Sequence, residues 1–219
     1  MTRPAADSLE QFFNAFPVLL GRAATPVERA AFGRYANLLV FWNRTHHLTA
    51  LKTRAEIGRG LFLDSLLFGA LLPRGPARVL DIGAGAGIPG VPLRMVEPGL
   101  SLTLVESRRK PVSFLHALIR ELALPDITVA HGRAEDIIVQ QPELTGKFDV
   151  VVTRAVGSSP YLIEMAMPYL RPGGQLVAAG PPAGIAKPKV DWQGHAEWKT
   201  IEFAKMGLSR VFLVVMKEG

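Results

Sequence analysis

The chain has 219 residues, 48% apolar and 20% charged, which fits one globular domain with an extension and excludes a disordered chain. It contains no cysteine, which excludes a disulfide framework, a thiolate metal site and a cysteine nucleophile. With 25 Lys and Arg against 19 Asp and Glu, the formal charge is +6, as expected of a polyanion-binding protein or of an ordinary basic enzyme.

The opening MTRPAADSLE has no apolar stretch and does not read as a secretory leader. Together with the lack of cysteine, this predicts a cytoplasmic protein. Residues 7 to about 72 read as helices. Thr25-Pro26-Val27-Glu28 is a helix start, with Thr25 as N-cap, Pro26 at the first helical position and Glu28 closing a capping box. Val27, Ala31, Leu38 and Trp42 then fall on one face at helical spacing, predicting the buried side. A second helix is predicted from about Thr53 to Leu71, ending before Pro73, Gly75 and Pro76. Its apolar run from Leu61 to Leu72 is too short to span a bilayer and carries Asp64. A buried Asp needs a partner, so Asp64 is expected to cap this helical extension or tie it to the core that follows. The Pro/Gly cluster divides an extension, 1–74, from a core, 75–219, the two together forming one compact domain.

From Ala77 onward short apolar runs alternate with helical stretches. Strands are predicted at Arg78–Ile82, Leu102–Val105, Ile127–Val129, Phe148–Val152 and Gln175–Ala178, with helices from about Pro89 and over Arg108–Leu122. That alternation predicts an α/β fold with a mostly parallel sheet and helices on both faces. Thr200–Phe203 and Arg210–Met216 have no helix between them and predict a closing antiparallel hairpin.

Asp81-Ile82-Gly83-Ala84-Gly85-Ala86-Gly87 lies where the first strand hands over to a helix. Glycine there lets backbone N–H groups approach a ligand and allows positive φ. A dinucleotide fingerprint would need its third glycine at position 88, which is Ile88, so a pyrophosphate clasp fits poorly. An acidic residue followed by glycines 83, 85 and 87 resembles the cofactor loop of Rossmann-like S-adenosylmethionine-dependent methyltransferases. Glu106, ending the second strand, can accept hydrogen bonds from two ribose hydroxyls, with Ser107 beside it. Arg133-Ala134-Glu135 follows the third strand, where such enzymes seat the adenine. No His/Asp/Glu spacing makes a metal site.

Absences narrow the methyl acceptor. Carbon-5 methylation of pyrimidines usually needs a cysteine to add to the ring. Methylation of an exocyclic amine usually uses an Asn- or Asp-Pro-Pro-aromatic motif, where this chain reads Thr153-Arg154-Ala155-Val156-Gly157. A ring nitrogen with a free lone pair, such as guanine N7, needs neither device, only alignment in a dry pocket.

Longer matches run over most of the chain: Trp42-Asn43 with Leu48-Thr49-Ala50; Leu63-Asp64-Ser65-Leu66; the loop extended through Ile88-Pro89-Gly90; Leu104-Val105-Glu106-Ser107 with Lys110, Phe114 and Leu115; Arg133-Ala134-Glu135; Thr153-Arg154-Ala155; and Arg210. In these the chain resembles the glucose-inhibited division protein B family, the small-subunit ribosomal RNA guanine-N7 methyltransferases. The resemblance implies methyl transfer from S-adenosylmethionine to N7 of one guanine in 16S rRNA, leaving S-adenosylhomocysteine. It implies a cofactor site of Gly83, Ile88, Glu106, Ala134, Glu135 and Arg154, to which the loop adds Asp81, Gly85 and Gly87. Three positions depart from the family's usual residues: Leu61 where His is usual, His47 where Asn is common, and Gly180 where Lys is common.

Arg154 ends the fourth strand and is expected to hold the cofactor or orient the guanine, the alternative being an ion pair with a helix carboxylate. Arg108, Arg109 and Lys110 open a helix, the unfavourable end for cations, which suggests phosphate binding or a plain solvated turn. Arg133, Lys187, Lys189 and Arg210 complete the candidate RNA contacts. His46 and His47 read as dipole-favoured residues at a helix end. The expected partner is 16S rRNA or the small subunit, with no membrane, no metal and a monomeric enzyme. A non-catalytic RNA-binding assembly factor and a nicotinamide-dependent reductase are the alternatives.

Overall fold

The computed structural model describes residues 7–154, 158–182, 184–190 and 192–219. Ala155, Val156 and Gly157, which complete the motif after the fourth strand, lie outside these.

Helices α1 (Glu10–Phe13), α2 (Phe16–Leu20) and α3 (Pro26–His46) come first. The capping box forms: Glu28 N–H donates to Thr25 Oγ1 at 3.2 Å and Thr25 N–H to Glu28 Oε2 at 2.7 Å. The buried stripe of α3 is Phe32, Tyr35, Ala36 and Leu39, which corrects the expected face. Val27 stands exposed on the first turn, while Ala31, Leu38 and Trp42 only flank the stripe. The stripe that wins carries two aromatic rings, so turning it inward removes more apolar surface from water. Phe32 and Tyr35 pack with Phe12 and Phe62, ring centroids 4.8 Å apart for Phe12–Phe32 and for Tyr35–Phe62.

α3 stops at His47, which takes the left-handed conformation at φ 50° and ψ 50°. Asn tolerates that conformation better than His. His47→Asn is expected to raise stability by up to about 1 kcal/mol, read as a higher denaturant midpoint at unchanged m-value.

The predicted helix from Thr53 to Leu71 is present but not uniform. It runs as α4 (Arg54–Ile57), a π-helical turn at Gly58–Phe62, α5 (Leu63–Phe68) and a 3₁₀ turn at Gly69–Leu71. A π turn adds a residue and rotates everything after it by about 100°. Asp64 follows immediately, so its direction depends on that added residue.

The sheet follows as β1 (Ala77–Ile82), α6 (Gly90–Val96), β2 (Leu100–Glu106), α7 (Arg109–Leu122), β3 (Ile127–His131), α8 (Ala134–Gln140), β4 (Phe148–Thr153), α9 (Ser159–Ala166), β5 (Leu170–Ala179), β6 (Ala196–Phe203) and β7 (Leu208–Met216). The strand order is β3-β2-β1-β4-β5-β7-β6. β1 to β5 are parallel; β7 lies antiparallel against β5 and forms the expected hairpin with β6. Alternate residues feed two cores. Val79, Val150, Val152, Val177 and Phe212 face α6, α7 and the helices before residue 72, while Leu80, Val151, Leu176 and Leu213 face α8 and α9. The extension therefore covers one sheet face and shares its core. Among the described residues no helix is long and apolar enough to cross a membrane.

Candidate active site

The strand order reverses at β1 and β4, and ligands of open parallel sheets bind at the carboxyl ends beside such a switch. The glycine loop leaves β1 there. Gly83, Gly85 and Gly87 all have positive φ, at 75°, 54° and 83°. Gly83 N–H and Ala84 N–H both donate to Val105 O, at 2.9 and 3.1 Å, fastening the loop to the end of β2. Gly83 faces solvent, whereas Gly87 and Ile88 are buried. A Cβ on Gly87 would stand 2.8 Å from Tyr35 Oη and 2.9 Å from Val91 Cγ2. Tyr35 itself donates to Ala86 O, so α3 backs the loop directly. Gly87 and Ile88 thus shape the loop from behind, and Gly83 and Gly85 form its open side.

Glu106 is 3% exposed at the end of β2. Its Oε2 accepts Gly85 N–H at 2.9 Å, and its Oε1 accepts Arg108 N–H at 2.9 Å and Arg108 Nε–H at 3.3 Å. One carboxylate therefore ties loop, strand and the start of α7 together. The pairing also accounts for a cation at the N-terminus of α7: Arg108 turns back onto Glu106, while Arg109 and Lys110 stay exposed. Next to Glu106, Ile82, Gly83, Ser107, Ala134, Glu135 and Met165 line a cavity of about 220 Å³ with Arg133 and Tyr161 at its rim. Tyr169 O–H donates to Ala134 O at 2.6 Å and fixes the first turn of α8. Tyr161 O–H donates to Glu135 Oε1 at 2.6 Å, which holds Glu135 below the ordinary carboxylate range and raises Tyr161. Sequence reasoning missed Tyr161, because α9 brings it across from a different strand end.

Asp81 lies under the loop, fully buried, where its Oδ2 accepts Gly90 N–H at 2.8 Å at the start of α6. That contact makes it a support of the loop, not a group facing the cavity. Burial raises its carboxyl to about 7, opposed by the Gly90 N–H and the Arg154 charge and reinforced by Glu106. The folded state therefore holds this proton more tightly than the unfolded chain. The stability it contributes is full below the unfolded value of 3.8 and is lost as pH rises through about 7. Asp81→Asn keeps an acceptor for Gly90 N–H and removes that loss. It is expected to melt a few degrees above the parent at pH 8, with the advantage shrinking toward pH 4. Thermal melts across that range check this, and an unchanged pH profile contradicts it.

The basic residues are placed differently from expectation. Arg154 follows β4 and stands with Nε 3.2 Å from Asp64 Oδ2, while Arg210 Nε is 3.3 Å from Asp64 Oδ1. Asp64 thus has the predicted tying role, and Arg154 is engaged by a helix carboxylate. Arg210, expected among the RNA contacts, is mostly shielded and stands beside Asp64, because β7 directs it toward α5. Burial lowers Arg154, offset first by Asp64. Lys187 and Lys189 are exposed on the segment between β5 and β6, far along the chain from the loop. Among the described residues no group of three His, Asp or Glu could hold a metal ion.

A seven-stranded sheet in this order, with a glycine loop after β1 and a buried carboxylate ending β2, defines a Rossmann-like class I methyltransferase. The chain belongs to the rRNA small subunit methyltransferase G family, whose pattern it matches over residues 28–180. It is 40% identical over 160 residues to the ribosomal RNA small subunit methyltransferase G of Streptococcus equi subsp. zooepidemicus, an alignment covering 72% of this chain and 67% of that one. The corresponding protein of Streptococcus suis is 39% identical with the same coverage. Among solved structures, cofactor-bound Rv0187 from MTB matches with a TM-score of 0.59 at 20% identity, over 100% of both chains. An O-methyltransferase assignment, Atu636 of Agrobacterium tumefaciens, matches at 0.56 and 20% identity over 71% of this chain and 80% of that one. At those identities the structures speak to the fold.

Proposed function

We propose that this chain transfers the methyl group of S-adenosylmethionine to N7 of a guanine in 16S rRNA of the small ribosomal subunit. The observation that carries the reading is the buried Glu106 carboxylate, held against the glycine loop at the end of β2 in a member of this family. The residues present fit the cofactor. Three donors use part of the acceptor capacity of Glu106 and leave lone pairs for ribose hydroxyls. Gly83 presents an exposed backbone to the cavity, whose walls beside Ala134 and Glu135 are apolar, from Ile82, Val105 and Met165, for a flat ring.

S-adenosylmethionine supplies an electrophilic methyl on a sulfonium centre. The chain's own residues bind, orient and exclude water. Guanine N7 carries no proton, so no side chain has to remove one, and positioning accounts for the catalysis. Arg154, beside the crevice, is the group best placed to orient the base, and Asp64 fixes Arg154. The same reading has a cytoplasmic monomer without a resident metal, with Arg109, Lys110 and Arg133 as exposed cations on the RNA side.

The test is transfer of labelled methyl to 16S RNA and to 30S subunits, with the modified position mapped by strand cleavage at 7-methylguanine. One guanine is expected to carry the label. Label on another atom, or none on either substrate, contradicts the proposal.

A further inference from the structure

The first turn of α8 is held by two tyrosine hydroxyls, and they hold different things. Tyr169 O–H, on a buried side chain, donates to Ala134 O at 2.6 Å and fixes the backbone. Tyr161 O–H donates to Glu135 Oε1, also at 2.6 Å, and fixes a side chain. Both residues of this second pair are exposed and both line the cavity of about 220 Å³, so the bond joins α9 to α8 along the cavity's outer rim. Tyr161 is the odd residue on its helix. Leu162, Ile163, Met165 and Ala166 are buried against the sheet, whereas Tyr161 stands outside that core and shares the cavity-lining side of α9 with Met165, one turn on.

An exposed glutamate left to itself samples many rotamers, and a ligand that uses it must bear the entropy of ordering it. Tyr161 removes that freedom before a ligand arrives. The same hydroxyl, followed by the residue's own backbone N–H and the Arg133 charge, holds Glu135 below the ordinary carboxylate range. At neutral pH the group is therefore ionised and can only accept hydrogen bonds, with lone pairs still open beyond those two donors. Beside it lie the apolar walls of Ile82, Val105 and Met165. A fixed acceptor next to an apolar slot chooses among flat rings by what their edge carries. A ring with an amino group there donates to the carboxylate, and a ring without one leaves the charge unanswered.

We propose that Tyr161 is a specificity-determining residue of the cofactor site, its hydroxyl holding Glu135 as a fixed acceptor for the 6-amino group of the adenine ring. The inference rests on the methyltransferase reading and deepens it. Tyr161 is a positioning residue here: it acts through Glu135, and its hydroxyl need not touch the cofactor. The backbone of α8 keeps its Tyr169 anchor when Tyr161 is changed, so Tyr161→Phe alters the freedom of one carboxylate and leaves the cavity walls in place.

Calorimetric titration tests it with two probes: S-adenosylhomocysteine, and the analogue with unsubstituted purine in place of adenine, which lacks the 6-amino group. The parent is expected to prefer S-adenosylhomocysteine about thirtyfold, as the loss of one charge-assisted hydrogen bond implies. Tyr161→Phe keeps the ring and should cut that preference to about fivefold at an unchanged melting temperature. Glu135→Ala should abolish the preference. Adding Tyr161→Phe to Glu135→Ala should then change neither affinity, because the hydroxyl has nothing left to hold. A parent that binds both probes equally, a preference untouched by Tyr161→Phe, or a Tyr161→Phe effect that persists on the Glu135→Ala background overturns the proposal and leaves the cofactor reading standing. A parent that binds neither probe overturns the cofactor reading, and this inference falls with it.

Discussion

Glu106→Ala is expected to weaken S-adenosylhomocysteine binding about a hundredfold or more. In the proposed cofactor pose two ribose hydroxyls donate to this carboxylate, charge-assisted bonds of about 1.5–3 kcal/mol each that would be lost together. The substitution also frees Gly85 N–H and the Arg108 backbone and side chain, so the loop loses its tie to α7. Glu106→Gln keeps an acceptor on the same stem and should lose less. Calorimetric titration with the melting temperature followed in parallel separates the two contributions. A variant that melts lower but binds normally would show that the carboxylate only supports the loop.

Gly87→Ala carries the second large effect, and it acts through the fold. The residue is left-handed at φ 83°, a conformation that costs a side chain about 1–2 kcal/mol. The added Cβ also meets the Tyr35 hydroxyl at 2.8 Å, Val91 at 2.9 Å and Leu115 at 3.3 Å, all in the core between α3, α6 and α7. Overpacking of this kind typically adds about 1–3 kcal/mol. A total of about 3 kcal/mol corresponds to roughly 10 °C in a chain of this size. A differential scanning experiment measures it, and a shift of only a degree or two would show that α3 yields to the added methyl. Cofactor affinity should fall as well, because the carbonyl of Ala86, which Tyr35 holds, lies in the same turn.

The parts of this molecule legible in the sequence are those written locally. β1 and β2 are buried on both faces, so they stand out as apolar runs, and the loop and Glu106 follow from where those runs end. The capping boxes at Thr25 and Thr53 are equally local, since each donor and acceptor lies three residues apart. What stayed hidden depends on partners distant in the chain. Arg210 looks like any basic residue until β7 sets it beside Asp64. The π turn at Gly58–Phe62 interrupts no hydrophobic pattern and still redirects Asp64. On α3, two apolar stripes compete, and Phe12, Phe16 and Phe62 from other elements decide between them. Tyr161 belongs to a crevice built only once α9 is in place.

The central claim is that the crevice between the glycine loop and Glu106 binds a nucleoside cofactor carrying a methyl donor. Equilibrium titration of the parent protein with S-adenosylhomocysteine tests it most directly, with NAD and NADP as the comparison. One equivalent is predicted to bind with a Kd in the roughly micromolar range, and neither dinucleotide should compete. Tight binding of a dinucleotide, with no binding of S-adenosylhomocysteine, would contradict the account.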